Sequence, residues 1–189
     1  MEKGLTLVPL QEDLFKSVVE LANKLFGPGY MSLGQLEKFF KDTGGEKANL
    51  SFVFKNTSNE VIGFRLTYGP NTWQKPLAGK IKYDSSRWGC PENKAGYFWT
   101  IGLDSRYQGA GLAKEMSEAS ANALKAAGAQ AILTFSWKQS PGGASQRYLE
   151  KFGFKAVHEW PNFWSHLDYE CVLCGKNCHC SAIEMIKKL

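Results

Sequence analysis

The chain has 189 residues, of which 43% are hydrophobic and 22% are charged, and a formal net charge of +5. These values fit one globular domain with a substantial core, and no stretch approaches the ~18 apolar residues that a membrane span requires. The Lys and Arg residues are scattered and the N-terminus lacks a signal-peptide pattern, so we expect a cytoplasmic protein that binds neither membranes nor nucleic acid.

The first half of the chain predicts a strand, two helices and a pair of strands. The first helix ends at Gly27-Pro28-Gly29, and Ser32 caps the second. The two strands are joined by the turn sequence Asn56-Thr57-Ser58-Asn59. These elements are expected at residues 5–8, 12–26, 32–40, 50–55 and 61–68.

A long connection follows, from about Gly69 to Ala95. It contains Trp73 and Trp88 among polar residues, and connections of this length without structure of their own are often functional or flexible. Two interpretations stay open at this point. The connection is either a wall of a functional site or a surface flap whose tryptophans cover the core.

The strand predicted over 97–103 leads into a glycine-rich turn and then into a helix. Gly109 and Gly111 allow the backbone to come close to a ligand. The first turn of the helix leaves N–H groups unpaired, with the positive end of the helix dipole facing outward. Such a turn is a site for phosphate or pyrophosphate. A plain strand-to-helix turn would use the same glycines, so the flanking sequence has to decide.

The rest of the chain continues the alternation of helices and strands. Apolar residues recur every three or four positions over 112–126, and Gly128 lies where a C-terminal cap belongs. A strand rich in β-branched and aromatic residues follows over 131–137, then a short helix over 144–152 and another strand. The last segment, Ser181 to Leu189, predicts a short closing helix with one apolar side, formed by Ile183, Ile186 and Leu189.

Two motifs narrow the function. The turn has the spacing Gln108-x-x-Gly111-x-Ala113; it lacks the third glycine and the acidic partner of a Rossmann site, and the chain contains no Walker loop. This spacing resembles the Q/R-x-x-G-x-G/A signature of the GNAT superfamily of acetyl-CoA-dependent N-acetyltransferases. The string RYLEKFGF, from Arg147 to Phe154, resembles the second signature of that family. The resemblance covers roughly residues 5–170.

The resemblance implies an α+β fold, with a GNAT-like mixed, mostly antiparallel central sheet flanked by helices. It places a GNAT-like acetyltransferase domain in residues 1–170 and leaves 171–189 as a cysteine-rich C-terminal extension. In this family the acceptor amine enters near the side of the long connection, which makes that connection a candidate substrate wall. The implied co-substrate is acetyl-CoA.

The resemblance also assigns the cofactor contacts to backbone groups. Amides of the turn would bind the pyrophosphate, and the end of the preceding strand would pair with the pantetheine arm. A backbone N–H near Leu103 would face the thioester oxygen, as in an oxyanion hole. The residues concerned are Ile101, Gly102, Leu103, Gln108, Gly109, Ala110, Gly111, Leu112 and Ala113.

The proton-carrying groups depart from the family pattern. The position of the tyrosine that often donates a proton is Leu149, and Tyr148 lies one residue earlier, a rotation of about 100° on a helix. We therefore expect Tyr148 to pack in the core. The position of the asparagine that often precedes this helix is Gly142.

The general base is equally unassigned, because the strand over 97–103 carries no Glu or His. Positioning of the reactants, with water as the proton carrier, is one solution. The side chains that stay candidates for the base are Tyr97, Asp104, Tyr68, His158 and Glu159. We keep three residues as candidates for catalytic roles, namely Leu103, Tyr148 and Tyr97.

Four of the five cysteines lie in residues 171–180. Cys171-x-x-Cys174-Gly175 has the shape of a thiolate knuckle, and Cys178-x-Cys180 is a less common second half. We expect these four thiols to bind zinc, with His179 between two of them pointing away. An iron–sulfur cluster, disulfides, redox-active thiols and no specific role are the alternatives.

The sequence therefore predicts an N-acetyltransferase that moves an acetyl group from acetyl-CoA to a primary amine by direct transfer. The acceptor is a small molecule or a peptide, and the protein is a monomer or a homodimer. A non-catalytic acyl-CoA-binding or metal- or redox-sensing module is the alternative. The missing tyrosine and strand carboxylate favour that alternative, whereas the glycine turn fits both.

Overall fold

The computed structural model describes residues 4–189 and contains one mixed seven-stranded sheet. In chain order the strands are β1 (Thr6–Pro9), β2 (Phe52–Lys55), β3 (Val61–Tyr68), β4 (Ala95–Leu103), β5 (Ala131–Trp137), β6 (Lys155–Trp160) and β7 (Ala182–Lys188). Their order across the sheet is β1-β2-β3-β4-β5-β7-β6. The β4–β5 pair runs parallel and the other neighbouring pairs run antiparallel, which confirms the predicted fold class.

Helices cover both faces of this sheet. They are α1 (Phe15–Phe26), α2 (Leu33–Asp42), the short α3 (Gln74–Leu77), α4 (Leu112–Ala126) and α5 (Ala144–Lys151). Helices α1 and α2 share a core with Tyr97 and Leu133, whereas α4 and α5 pack with Phe98 and Ile132. Since neighbouring residues of a strand face opposite sides, the two helix pairs lie on opposite faces. Within residues 4–189, none of the helices combines the length and the apolar character needed to cross a bilayer.

The predicted ends of the first two helices are confirmed. Gly27 ends α1 with φ 115°, and its N–H donates to the Asn23 carbonyl. Ser32 caps α2 through a capping box: its Oγ accepts from the Gln35 N–H at 3.2 Å, and the Gln35 side chain accepts from the Ser32 N–H at 2.7 Å. The turn between these helices, residues 27–31, is thereby fixed at both ends.

The prediction of a closing helix at 181–189 was wrong, because this segment forms β7 between β5 and β6. Ile183 packs with the α4–α5 core and Ile186 with the α1–α2 core. This strand is buried on both faces from Ala182 to Ile186, so its apolar residues need not alternate, and the three-residue spacing of its isoleucines was not a helix signal. Residues 161–181 are consequently a connection between two strands of the sheet.

Glu184 lies fully buried in the middle of β7 and holds the long connection in place. Its carboxyl group accepts hydrogen bonds from the indole Nε1 of Trp88 at 2.5 Å and of Trp160 at 2.7 Å. The Asp84 amide also donates to it, at 3.3 Å. Trp73 is equally buried and donates its Nε1–H to the Ala95 carbonyl at 2.8 Å. The structure therefore agrees with the second interpretation of this connection, in which its tryptophans cover the core.

Candidate functional site

Strands β4 and β5 pair only at their beginnings. The parallel register runs from Ala95 opposite Ala131 to Phe98 opposite Thr134, where the Thr134 hydroxyl donates to the Phe98 carbonyl at 3.0 Å. Beyond that point β4 continues to Leu103 and β5 to Trp137 without pairing with each other. The sheet therefore opens into a gap between the C-terminal halves of two neighbouring strands.

A β-bulge in β4 lies at the start of this gap. In the ladder with β3, Thr100 pairs with Leu66 and Phe98 with Thr67, so Trp99 is the extra residue. Trp99 packs at a tilt against Phe39 of α2, and the next residue, Thr100, bonds to Tyr30 on the same side of the sheet. Two consecutive residues thus face the α1–α2 side, and bulges of this kind re-aim side chains near active sites.

Backbone groups of β4 point into the gap. The Asp104 N–H donates to the Ile62 carbonyl of the adjacent strand at 2.8 Å, which identifies Asp104 as a residue bonded toward β3. Hydrogen-bonding direction alternates along a strand, so the N–H and C=O groups of Ile101 and Leu103 face the opposite way. The edge of the gap therefore offers the unpaired backbone groups of a strand to an extended ligand.

The gap leads to the N-terminus of α4. Gly109 and Gly111 have φ values of 84° and 83°, and a Cβ at either position would meet nothing within 4 Å. Within the described part of the chain, no side chain caps this helix. Free helical N–H groups and the positive dipole end face open space, which is the arrangement that binds phosphate groups.

Asp104 anchors the start of this turn. Its carboxylate accepts from the backbone N–H, Nε and Nη2 of Arg106, each at 3.0 Å, and from Lys24 Nζ at 3.2 Å. The hydrogen bonds from Arg106 hold the pKa of Asp104 well below its usual range. A carboxylate so engaged is a weak base, and its role here is to fix the entry to the glycine turn.

Tyr148 lies between α5 and α4. Its hydroxyl lies 2.6 Å from Ser117 Oγ and 2.9 Å from the Ala113 carbonyl oxygen, and Ser117 Oγ accepts from Arg65 Nε and Nη2 at 3.2 and 3.0 Å. The guanidinium of Arg65 is buried against the Phe98 ring, 4.3 Å from its centroid. The Tyr148 hydroxyl is therefore engaged by two groups of α4, and Leu149 is buried in the core.

This geometry predicts a small effect of Tyr148→Phe. We expect turnover to change by less than about threefold, because a positioned acid or base contributes a factor of about 10²–10⁴ and the Tyr148 hydroxyl is engaged by Ser117 and Ala113 of α4. The measurement is kcat for acetyl-CoA consumption beside the midpoint of chemical denaturation. A hundredfold loss of kcat at unchanged stability would show that Tyr148 donates a proton to the reaction.

The remaining base candidates lie in two places. Tyr68 and Tyr97 stack on the α1–α2 face with centroids 6.0 Å apart, and burial raises the pKa of both. His158 and Glu159 lie on β6, and β7 and β5 separate that strand from β4. His158 contacts Arg87, and Glu159 pairs with Lys138 at 2.6 Å. The two β6 residues are thus far from the gap in the order of the sheet.

Two aromatic residues near the gap had no role in the sequence analysis. Tyr30, in the turn after α1, donates its hydroxyl to Thr100 Oγ1 at 2.9 Å, and Tyr169 packs edge-on against the Tyr30 ring at a centroid distance of 5.9 Å. Tyr169 and Gly29 also line a cleft of about 420 Å³. In the sequence, the only sign of these two residues was their position: Tyr30 follows the glycines that end α1, and Tyr169 lies just before the cysteines.

The four cysteines of the connection between β6 and β7 come together. The Sγ atoms of Cys171, Cys174, Cys178 and Cys180 all lie within 4.8 Å of one another. The Sγ atoms of Cys174 and Cys180 are separated by 3.3 Å, and the described cysteines are free thiols. His179, which is exposed, is not part of this group.

Comparisons with known proteins agree with this geometry. A family model described as the acetyltransferase (GNAT) family matches residues 15–154. Among solved structures, Ard1 from Thermoplasma volcanium is 12% identical with a TM-score of 0.68, over 98% of both chains. The protein yncA from Salmonella typhimurium, solved with its cofactor acetyl-CoA, is 14% identical with a TM-score of 0.66, over 99% of this chain and 95% of the other.

A third structure is Naa50 from Arabidopsis thaliana in complex with the bisubstrate analogue CoA-Ac-MVNAL. It is 12% identical with a TM-score of 0.63, over 98% of this chain and 99% of the other. A search of curated protein sequences found no match. Since the family model spans most of the chain and these structures share its fold along nearly their whole length, the chain belongs to the acetyltransferase (GNAT) family.

Proposed function

We propose that the protein is an acetyl-CoA-dependent N-acetyltransferase that moves the acetyl group directly to a primary amine. The observation that carries this proposal is the unpaired gap between β4 and β5, together with the uncapped N-terminus of α4 that follows β4 in the chain. A gap that offers strand backbone groups and ends in an anion site fits a ligand with an extended amide-containing arm and a pyrophosphate. Coenzyme A has both.

The cofactor contacts follow from the backbone. The amides from Gln108 to Ala113 would bind the pyrophosphate, and open space above Gly109 and Gly111 leaves room for it. The pantetheine arm would lie along β4 and exchange hydrogen bonds with Ile101 and Leu103, as a neighbouring strand would. The Salmonella relative, solved with acetyl-CoA, supports a cofactor of this class.

In the reaction, the amine nitrogen bonds to the acetyl carbonyl carbon as the C–S bond breaks, and one proton leaves the nitrogen while the thiolate of coenzyme A gains one. The chain's part is to align the two reactants in the gap, with the Leu103 N–H donating to the thioester oxygen. Burial raises the pKa of Tyr97, so its phenol stays protonated at neutral pH and does not serve as the base. Water is the proposed proton acceptor, because β4 carries no carboxylate or histidine.

The acceptor would approach from the α1–α2 side. There the bulge turns Trp99 toward Phe39 and Thr100 toward Tyr30, beside the cleft that Tyr169 lines. Aromatic walls and a cleft of about 420 Å³ fit a peptide N-terminus or a small organic amine. The Arabidopsis relative, solved with a CoA-peptide analogue, supports a peptide amine as one acceptor class.

The test is a panel of primary amines and short peptides incubated with acetyl-CoA. We expect acceptor-dependent release of the coenzyme A thiol and a product that carries one acetyl group on nitrogen, identified by mass spectrometry. Binding of coenzyme A without turnover of any amine would favour the alternative, a non-catalytic acyl-CoA-binding module. Failure to bind coenzyme A at all would contradict both.

A further inference from the structure

The thiols of Cys171, Cys174, Cys178 and Cys180 have the spacing of a metal site. A tetrahedral zinc ion with Zn–S bonds of about 2.3 Å places its sulfurs about 3.8 Å apart. All four Sγ atoms lie within 4.8 Å of one another, and those of Cys174 and Cys180 are 3.3 Å apart. A shift of a few tenths of an ångström in each side chain would close a tetrahedron around one ion.

The backbone holds the first two thiols in a knuckle. Cys171 N–H donates to the Gly175 carbonyl at 2.9 Å, and Gly175 N–H donates to the Cys171 carbonyl at 2.8 Å. Gly175 has φ 70°, which closes this narrow turn and places both sulfurs on one side of it. The second pair is held where the chain enters β7, because the Cys180 carbonyl accepts from the Phe163 N–H at 3.0 Å.

The burial and the number of the four thiols favour zinc as the bound metal. Cys171, Cys178 and Cys180 are buried, and Trp137, Trp164 and Tyr169 pack around them. A single disulfide would use two of these thiols and leave the other two, of which at least one is buried, without a partner. A tetrahedral ion uses all four, and an all-thiolate closed site suits zinc.

The cluster also adjoins the acceptor side of the gap. Tyr169 lies with its hydroxyl 3.6 Å from Cys178 Sγ and with its ring against Tyr30, which bonds to Thr100 of β4. The next amide, that of Glu170, donates to the Pro28 carbonyl at 3.3 Å. Through these contacts the cysteine connection touches the turn between α1 and α2.

We propose that the four cysteines bind one zinc ion, and that the ion holds Tyr169 and Glu170 against the turn at residues 27–31. Zinc binding in small sites is coupled to local folding, so loss of the ion releases the connection and its contacts with that turn. The site is structural, and the glycine turn at the opposite end of the gap does not depend on it. The naming of residues 27–31 as the acceptor side rests on the proposed function, whereas the zinc site does not.

Metal analysis of protein purified under reducing conditions without chelator tests the ion. We expect about one equivalent of zinc in the wild type and in Cys90→Ser, which removes the cysteine outside the cluster. The double substitution of Cys171 and Cys174 by Ser should abolish zinc binding. Iron in place of zinc, or neither metal, would overturn the assignment. Because the double variant could misfold, the same loss is tested by chelator treatment of the wild type and its reversal by added zinc.

Hydrogen exchange of the wild type tests the contact with the turn. Removal of zinc should speed amide exchange in residues 171–180, at Glu170 and in residues 27–31, and added zinc should restore it. Exchange in residues 109–113 and the affinity for coenzyme A should change by less than about twofold. Faster exchange confined to residues 171–180 would overturn the proposal that the ion holds Tyr169 and Glu170 against the turn. These readouts use no acetyl acceptor, so a failure of the proposed enzyme activity would leave them unchanged.

Discussion

Gly111→Asn is expected to weaken coenzyme A binding at least tenfold, about 1.4 kcal/mol of binding free energy, while the chain stays folded. Gly111 has φ 83°, a conformation that asparagine tolerates better than most residues. The added side chain enters the open space over the first turn of α4, where the pyrophosphate would lie. Isothermal titration with coenzyme A measures the change.

Gly128→Asn is the matched control. Gly128 has the same φ of 83°, follows the other end of α4, and also faces open space. It therefore reproduces the backbone strain of the Gly111 substitution without approaching the proposed anion site. Equal affinities of the two folded variants would contradict the assignment of the glycine turn.

Glu184→Leu is expected to lower the free energy of unfolding by about 3–5 kcal/mol. Each buried donor left without a partner costs about 1–3 kcal/mol, and this change removes the acceptor for the indoles of Trp88 and Trp160 and for the Asp84 amide. The connection that covers the core would lose its tie to β7. Chemical denaturation followed by tryptophan fluorescence measures the loss.

Two further variants separate this cause from a general effect of charge. Glu184→Gln keeps an acceptor oxygen and should lose less stability than Glu184→Leu. Glu159→Gln alters an exposed carboxylate on the adjacent strand and should leave the unfolding free energy nearly unchanged. A destabilisation that is the same for both Glu184 variants would contradict the hydrogen-bond explanation.

The sequence predicted the sheet-and-helix order and the glycine turn because their signals are local. Capping at Ser32, the stop at Gly27 and the positive φ of Gly109 and Gly111 each depend on a few neighbouring residues. The prediction of a helix at residues 181–189 failed, because the neighbours of this segment on both edges and both faces are distant in sequence. Only tertiary pairing shows that Ile183 and Ile186 face opposite sides of a sheet.

The proposed acceptor side could not be predicted for the same reason. Tyr30 and Tyr169 meet because a turn after α1 packs on the connection before β7, and no periodicity in the chain reports that contact. The bulge at Trp99 likewise depends on the register with β3. The cysteine cluster could be predicted in part. The spacing of the four cysteines was visible in the sequence, whereas the approach of their Sγ atoms and the contact with Tyr169 came from the structure.

The measurement that tests the central claim most directly is amide NMR of the labelled protein during titration with coenzyme A. The account predicts the largest shifts at the amides of Ile101, Leu103 and residues 109–113, because those groups would bind the pantetheine arm and the pyrophosphate. A second cleft, of about 430 Å³, lies between α4 and β7 and is lined by Lys125, Lys187 and Lys188. Shifts confined to that basic cleft, with the gap and the glycine turn unchanged, would contradict the account.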